Sequence, residues 1–309
     1  MWNVSLSTMW GVGQFDHLAD FFAAGHQIGV QQFELNHKIN SAMLASLDLT
    51  RYCIGSVHEP CPADISSDIL KERNWLISAS DEECRRQGVR AVQRSIDLAR
   101  EIGARAVVVH AGKVDVDPQL EKTLWRLFEA GQSQTPAYNE ARDRLVRARG
   151  AQAEVNLEAV QRSLAELAEY AGRSGVRLGI ENRYHYLEIP VLDELGWLLE
   201  AVGDERVGFW YDVGHAHTLE RLGFFAHEAW LQQYASRMIG VHLHDVIGLT
   251  DHQAPGSGEV DWRLVASYLP NDVIIRACEV RHYLTARQVM AGLQFLVDTG
   301  ILTPNEVPA

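Results

Sequence analysis

Short runs rich in β-branched and aliphatic residues alternate along the chain with longer stretches whose apolar residues recur every three to four positions. That is the pattern of repeated βα units feeding a parallel sheet. The short runs lie near 3–8, 31–35, 53–58, 105–110, 177–182, 207–212, 239–244 and 273–280, and they supply the strands of an α/β fold closed as a (β/α)8 barrel. The stretch Ala104-Arg105-Ala106-Val107-Val108-Val109 is almost continuously apolar, as a strand covered on both faces should be. Between the strands, Val89, Val92, Ile96 and Ala99 mark one face of a helix that Gly103 is placed to cap. Val160, Leu164, Leu167 and Ala171 repeat the spacing before Gly175. Further helices are expected at 17–27, 190–202, 222–236 and 285–298. Residues 113–154 depart from this economy and include the Arg-rich run from Arg142 to Arg149. They predict an inserted helical excursion near the barrel mouth, either a lid or a solvated decoration. No repeat, low-complexity tract or linker interrupts the pattern, so residues 1–309 read as a single domain.

Composition narrows the partners. With 47% hydrophobic and 22% charged residues the chain is an ordinary globular one. Its 41 acidic and 28 basic side chains leave a net charge of −13. A surface that negative repels a polyphosphate, so nucleic acid is not the expected partner. Cys53, Cys61, Cys84 and Cys278 form no Cys-x-x-Cys pair and read as buried, reduced thiols. The segment Met1 to Leu6 lacks the basic region and long apolar run of a secretory signal. No stretch reaches the roughly 20 apolar residues of a spanning helix. The expected location is cytoplasmic, without a membrane partner, and a homo-oligomer is left open.

The candidate chemistry lies in the residues that end the strands. His58 closes the third in Ser56-Val57-His58-Glu59-Pro60, and His110 the fourth in Val109-His110-Ala111-Gly112. Glu181 closes the fifth, Asp212 the sixth, His242 and His244 the seventh, and Glu279 the eighth. One such residue alone is more often a hydrogen-bonded core histidine or a surface carboxylate. Six consecutive strands ending this way differ, because strand carboxyl ends converge on the mouth of a barrel. Carboxylates crowded there repel and take up protons unless a cation neutralises them. Mixed imidazole and carboxylate donors suit zinc, manganese or cobalt, and one to three such ions are expected. His242 and His244, two residues apart, both point inward, with His242 deeper. His252, in the loop Thr250 to Gly258, is within reach of the same mouth. His17, His26, His37 and His227 are placed below or outside it, without a role. Trp10 and Trp210 read as core rather than as a wall for a sugar ring.

Ile180-Glu181-Asn182, Asp212-Val213-Gly214-His215, His242-Leu243-His244-Asp245, the turn Gly256-Ser257-Gly258-Glu259-Val260-Asp261-Trp262 and Glu279 occur in that order. Together they resemble the xylose-isomerase-like TIM-barrel superfamily, which includes ketose epimerases, inosose dehydratases and abasic-site nucleases of the endonuclease IV type. The resemblance covers the whole chain except 113–154. It implies a four-ligand divalent-metal core of Glu181, Asp212, His242 and Glu279. In the isomerase and epimerase branch it further implies Glu181 and Glu279 as acid and base on opposite faces of a sugar, sugar phosphate or polyol. His215, Arg183 and Arg281 would then bind the substrate; salt bridges to rim carboxylates are the competing role for the two arginines. The endonuclease-type branch implies extra ligands, matched here by His58, His110, His215 and His252, and phosphoester hydrolysis at two or three zinc ions. Thr250 stands where that branch carries an aspartate, with Asp251 one residue out of register, which favours a pair of ions over three. A small phosphoester suits this acidic chain better than DNA. The isomerase reading is preferred, and the number of ions bound discriminates the two.

Overall fold

The computed structural model describes residues 2–270 and 275–303. Among them, β1 (Trp2–Ser7), β2 (Val30–Leu35), β3 (Cys53–His58), β4 (Ala106–Val109), β5 (Arg177–Glu181), β6 (Val207–Asp212) and β7 (Met238–Leu243) pair in parallel. The last parallel strand, β10 (Ile275–Cys278), joins β7 to β1 and closes the barrel. The two remaining strands, β8 (Asp245–Ile247) and β9 (Thr250–Gln253), form an antiparallel hairpin over the mouth end of β7. This is a (β/α)8 TIM barrel, as the periodicity predicted. The first residues of the strand expected at 273–280, 273 and 274, lie outside the described residues.

Strand alternation decides which side chains reach the barrel axis. In β6, Phe209 and Tyr211 face outward, where Phe209 packs its ring against Trp230 and Tyr234 and Tyr211 meets His227. Trp210 and Asp212 turn inward. Trp210 is fully buried and forms a small apolar cluster with Ala106, Val108, Ile239 and Ile275 that fills the barrel below the mouth. Its indole fits because position 240 carries no side chain: a Cβ on Gly240 would meet Trp210 Cζ3 at 2.2 Å. The His242 ring rests directly on this indole, with ring centroids 5.2 Å apart. Trp10 is likewise core, donating its indole N–H to Leu284 O at 2.7 Å.

Several expectations shift in detail. Two helices stand here: Val213–Arg221, which was not expected, and His227–Tyr234, a shortened form of the helix expected at 222–236. The Asp212 side chain caps the first by accepting from His215 N, and Gly223, at φ 78°, breaks the chain between them. Cys61 and Cys278 are buried, whereas Cys53 is exposed and Cys84 partly so, because Cys53 begins its strand at the far edge from the mouth. The excursion at 113–154 is helical, with Gln119–Glu129 and Pro136–Gly150 preceding the barrel helix Ala153–Gly172. It packs on the segment after β5: Glu121 accepts from Tyr186 N, Arg149 forks onto Glu194, and the Trp125 ring meets Tyr184 and His185. No described helix is long and apolar enough to cross a membrane.

Candidate metal centre

The four residues of the expected core come together. Glu181, Asp212, His242 and Glu279 are all buried, and one donor atom from each lies within 4.8 Å of the others. His242 is the hub. Its Nδ1 lies 2.7 Å from Glu181 Oε1, 3.3 Å from Glu279 Oε2 and 3.5 Å from Asp212 Oδ2. Its Nε2 points the other way, 3.2 Å from both oxygens of Glu34. Glu34, fully buried on β2 and accepting from Ser56 Oγ at 2.7 Å, is absent from the sequence expectations. A carboxylate on the far nitrogen of a ligating imidazole fixes its orientation and tautomer. A signal for it was present: Glu34 is an acid near the carboxyl end of a barrel strand, as Glu181 and Glu279 are.

Two further groups flank the core. His58 Nε2 and His110 Nε2 lie 2.7 Å apart, so one imidazole donates and the other accepts, and His110 Nε2 is 3.2 Å from Glu181 Oε2. His37 belongs here too, contrary to its placement outside the mouth: its ring is edge-on to His58 at 5.2 Å and tilted against His110 at 6.0 Å. The turn after β2 carries it back across the strand ends, a path that local periodicity does not record.

On the opposite side, Asp212, His215, His244 and His252 bring four donor atoms within 4.8 Å. His215 Nδ1 lies 2.9 Å from Asn182 O, a contact that requires Nδ1 to carry the proton. His244 Nδ1 accepts from His252 N at 2.9 Å, so its Nε2–H donates to Asp212 at 2.9 Å. His252 stacks on His244 with ring centroids 4.2 Å apart and adopts φ 55°, a left-handed conformation that costs a non-glycine residue roughly 1 kcal/mol or more. Asp251 Oδ2 sits 3.0 Å from His252 Nδ1. Asp245 faces away from the site and anchors the following turn, accepting from Gly256 N, Val260 N and Trp262 Nε1.

The arginines are placed as ion pairs. Arg183 bonds Glu181 and Glu188. Arg281, half-exposed at the rim, bonds Asp251 rather than approaching Glu279.

Electrostatics show what this donor set lacks. Burial alone would discharge every group. It opposes the charged form of His242, yet Glu279 and Glu34 outweigh it and hold the imidazole well above its usual range. Burial likewise opposes a charge on His252, but Asp251 and Glu279 lift it to about 10. Burial would raise Asp212, but His215 and His244 keep it well below the carboxylate range; His242 and His252 do the same for Glu279. Burial, with Arg183, lowers His215 to about 4 and holds His110 well below the usual imidazole range, so both are neutral. Protonated His242 and His252 thus supply positive charge to the carboxylates around them. A divalent transition ion fits the same position, since buried imidazole and carboxylate donors converge and an outer carboxylate already orients one of them.

Comparison with known proteins places this geometry. The family described as xylose isomerase-like TIM barrel matches residues 57–296. An uncharacterised protein of Sinorhizobium fredii, y4fM, is 26% identical over 227 residues, covering 73% of this chain and 57% of that protein. The chain therefore spans little more than half the length of this relative. The solved structure of L-ribulose 3-epimerase superimposes with a TM-score of 0.65 at 14% identity, covering all of both chains. The IOLI protein with a zinc atom gives a TM-score of 0.65 at 13% identity, covering 96% of this chain and 97% of that one. The strand-end residues, the closed parallel barrel and the family match over most of the chain agree: the protein belongs to the xylose isomerase-like TIM-barrel family.

Proposed function

We propose that this chain is a divalent-metal-dependent isomerase or epimerase acting on a sugar, sugar phosphate or polyol. The observation that carries the reading is a pair of buried glutamates, Glu181 and Glu279, converging with Asp212 and His242 at the barrel mouth. The likeness of fold to L-ribulose 3-epimerase and to the zinc-bound IOLI protein supports it. A zinc, manganese or cobalt ion held by these four residues would polarise a substrate carbonyl and its neighbouring hydroxyl. One glutamate then removes the proton from the carbon that bears that hydroxyl, on one face of the sugar, and the other returns a proton to the opposite face. Glu279 is held ionised by His242 and His252, the deprotonated form that a general base must have. His215, neutral and donating through Nδ1 to Asn182 O, offers Nε2 to a substrate hydroxyl. Arg183 reaches a substrate hydroxyl or phosphate by exchanging its contact with Glu181, and Arg281 does so from the rim. The helices of 113–154 cover one side of the mouth through Tyr184, whose ring lies 5.7 Å from His215.

A second reading rests on the flanking donors: His58, His110, His215, His244 and His252 could hold one or two more ions, the arrangement suited to hydrolysing a small phosphoester. Solvent deuterium uptake decides between the two. The isomerase reading expects exchange beside the carbonyl in a panel of ketoses and their phosphates, with one tightly bound ion at the barrel mouth. Phosphate release from small esters without any exchange would overturn it.

A further inference from the structure

A second group of donors lies behind the barrel wall. His217 and Glu220 stand three residues apart on the helix Val213–Arg221, and His227 opens the helix His227–Tyr234. One donor atom from each lies within 4.8 Å of the other two. His217 is 7% exposed and His227 1%, while Glu220 faces solvent. Buried His217 Nε2 has no hydrogen-bond partner among the described residues, a desolvation cost that a ligand would relieve.

The other two groups are already held. Glu220 Oε1 accepts from His227 N at 2.9 Å, and His227 Nε2 is hydrogen-bonded to the Tyr211 hydroxyl. Such a contact is the kind of outer partner that orients a ligating imidazole. The Tyr211 phenol is available as donor or acceptor, because burial keeps it protonated. Burial is also the main reason that His217 is lowered and that His227 falls to about 3; Arg221 pushes His217 in the same direction, against Glu220 and Asp245, and Asp261 and Asp212 oppose the shift of His227. Both imidazoles are neutral, the form that binds metal.

We propose that His217, Glu220 and His227 form a second, peripheral site for one zinc-like divalent ion. Two imidazoles and a carboxylate suit zinc and its transition-metal neighbours rather than calcium or magnesium. Bonds of about 2.0–2.2 Å require the donors to draw closer, and the solvent-facing Glu220 side chain supplies that movement. Three protein ligands leave a position open to water or to an exogenous donor. The site shares no residue with the barrel mouth and stands whether or not the activity proposed above is correct.

Zinc titration of the metal-stripped full chain, with bound ions counted after equilibrium dialysis, tests the site. The wild type is expected to bind one more ion per chain than His217→Asn or Glu220→Gln. His242→Asn, which damages the mouth, should retain the peripheral ion. Glu220→Gln changes an exposed side chain and guards against a folding defect in the buried variant. Crystals soaked in zinc should show an anomalous peak between the three side chains. Equal stoichiometry in wild type and Glu220→Gln, or no peak there at saturating zinc, would overturn the proposal.

Discussion

Replacing Gly214 with alanine tests whether His244 holds Asp212 in place. A Cβ at position 214 would lie 2.1 Å from His244 Cε1, 2.6 Å from its Nδ1 and 3.0 Å from Val246 Cγ2. The imidazole has little room to yield. It is fully buried, its Nε2 is 2.9 and 3.0 Å from the two Asp212 oxygens, its Nδ1 accepts from His252 N, and its face is stacked on His252. Gly214 sits in the first turn of a helix, where alanine is intrinsically favoured by about 1 kcal/mol. Any loss must therefore come from the collision, for which overpacking typically costs about 1–3 kcal/mol. Moving the ring also removes a donor from Asp212. Loss of such an outer partner lowers metal affinity about 10–100-fold, or roughly 1.4–2.7 kcal/mol. Denaturant unfolding and zinc competition against a chromophoric chelator measure the two effects separately. Gly150→Ala, where nothing lies within 4 Å of the added carbon, is the control and should be neutral or mildly stabilising. Gly214→Ala with wild-type zinc affinity, even if less stable, would refute the link from His244 to Asp212.

Three other outcomes are expected. Glu34→Gln leaves the four core donors intact but removes the carboxylate from His242 Nε2, so zinc affinity should fall about 10–100-fold; an unchanged dissociation constant would contradict that role. Glu279→Gln, assayed at saturating metal, should slow deuterium exchange into substrate by at least about 100-fold while the circular dichroism spectrum is retained; exchange at the wild-type rate would remove Glu279 as a proton carrier. His242 and His252, the latter with its pKa near 10, are imidazolium in the metal-free protein at neutral pH, so zinc must displace protons and its affinity should rise with pH. By the same linkage, the raised His252 stabilises the metal-free fold fully below about 6.5, and that contribution fades as pH climbs through about 10. Calorimetry in buffers of different ionisation enthalpy reads the released protons, and heats independent of buffer would argue against the charge assignment.

Local pattern alone determined the eight barrel strands, because an apolar run between helical periods reports its own burial, but not the hairpin of β8 and β9, whose second strand lies in what was expected to be a loop. It likewise placed Glu181, Asp212, His242 and Glu279 at strand ends, since the end of a run is visible in a window of a few residues. The helix break at Gly223 was written locally too, in a residue that tolerates positive φ, although the expected helix 222–236 ran through it. Other features depended on barrel closure. Glu34 and His242 are 208 residues apart, and only the order in which β2 and β7 enter the ring puts a carboxylate on that imidazole. His37 enters through the path of a turn, and Arg183 meets Glu181 because both emerge from one strand end into a space too small to keep them apart. Periodicity reports which side of its own element a residue occupies. What that side faces is a long-range property, set by strand order, register and the volume of the mouth.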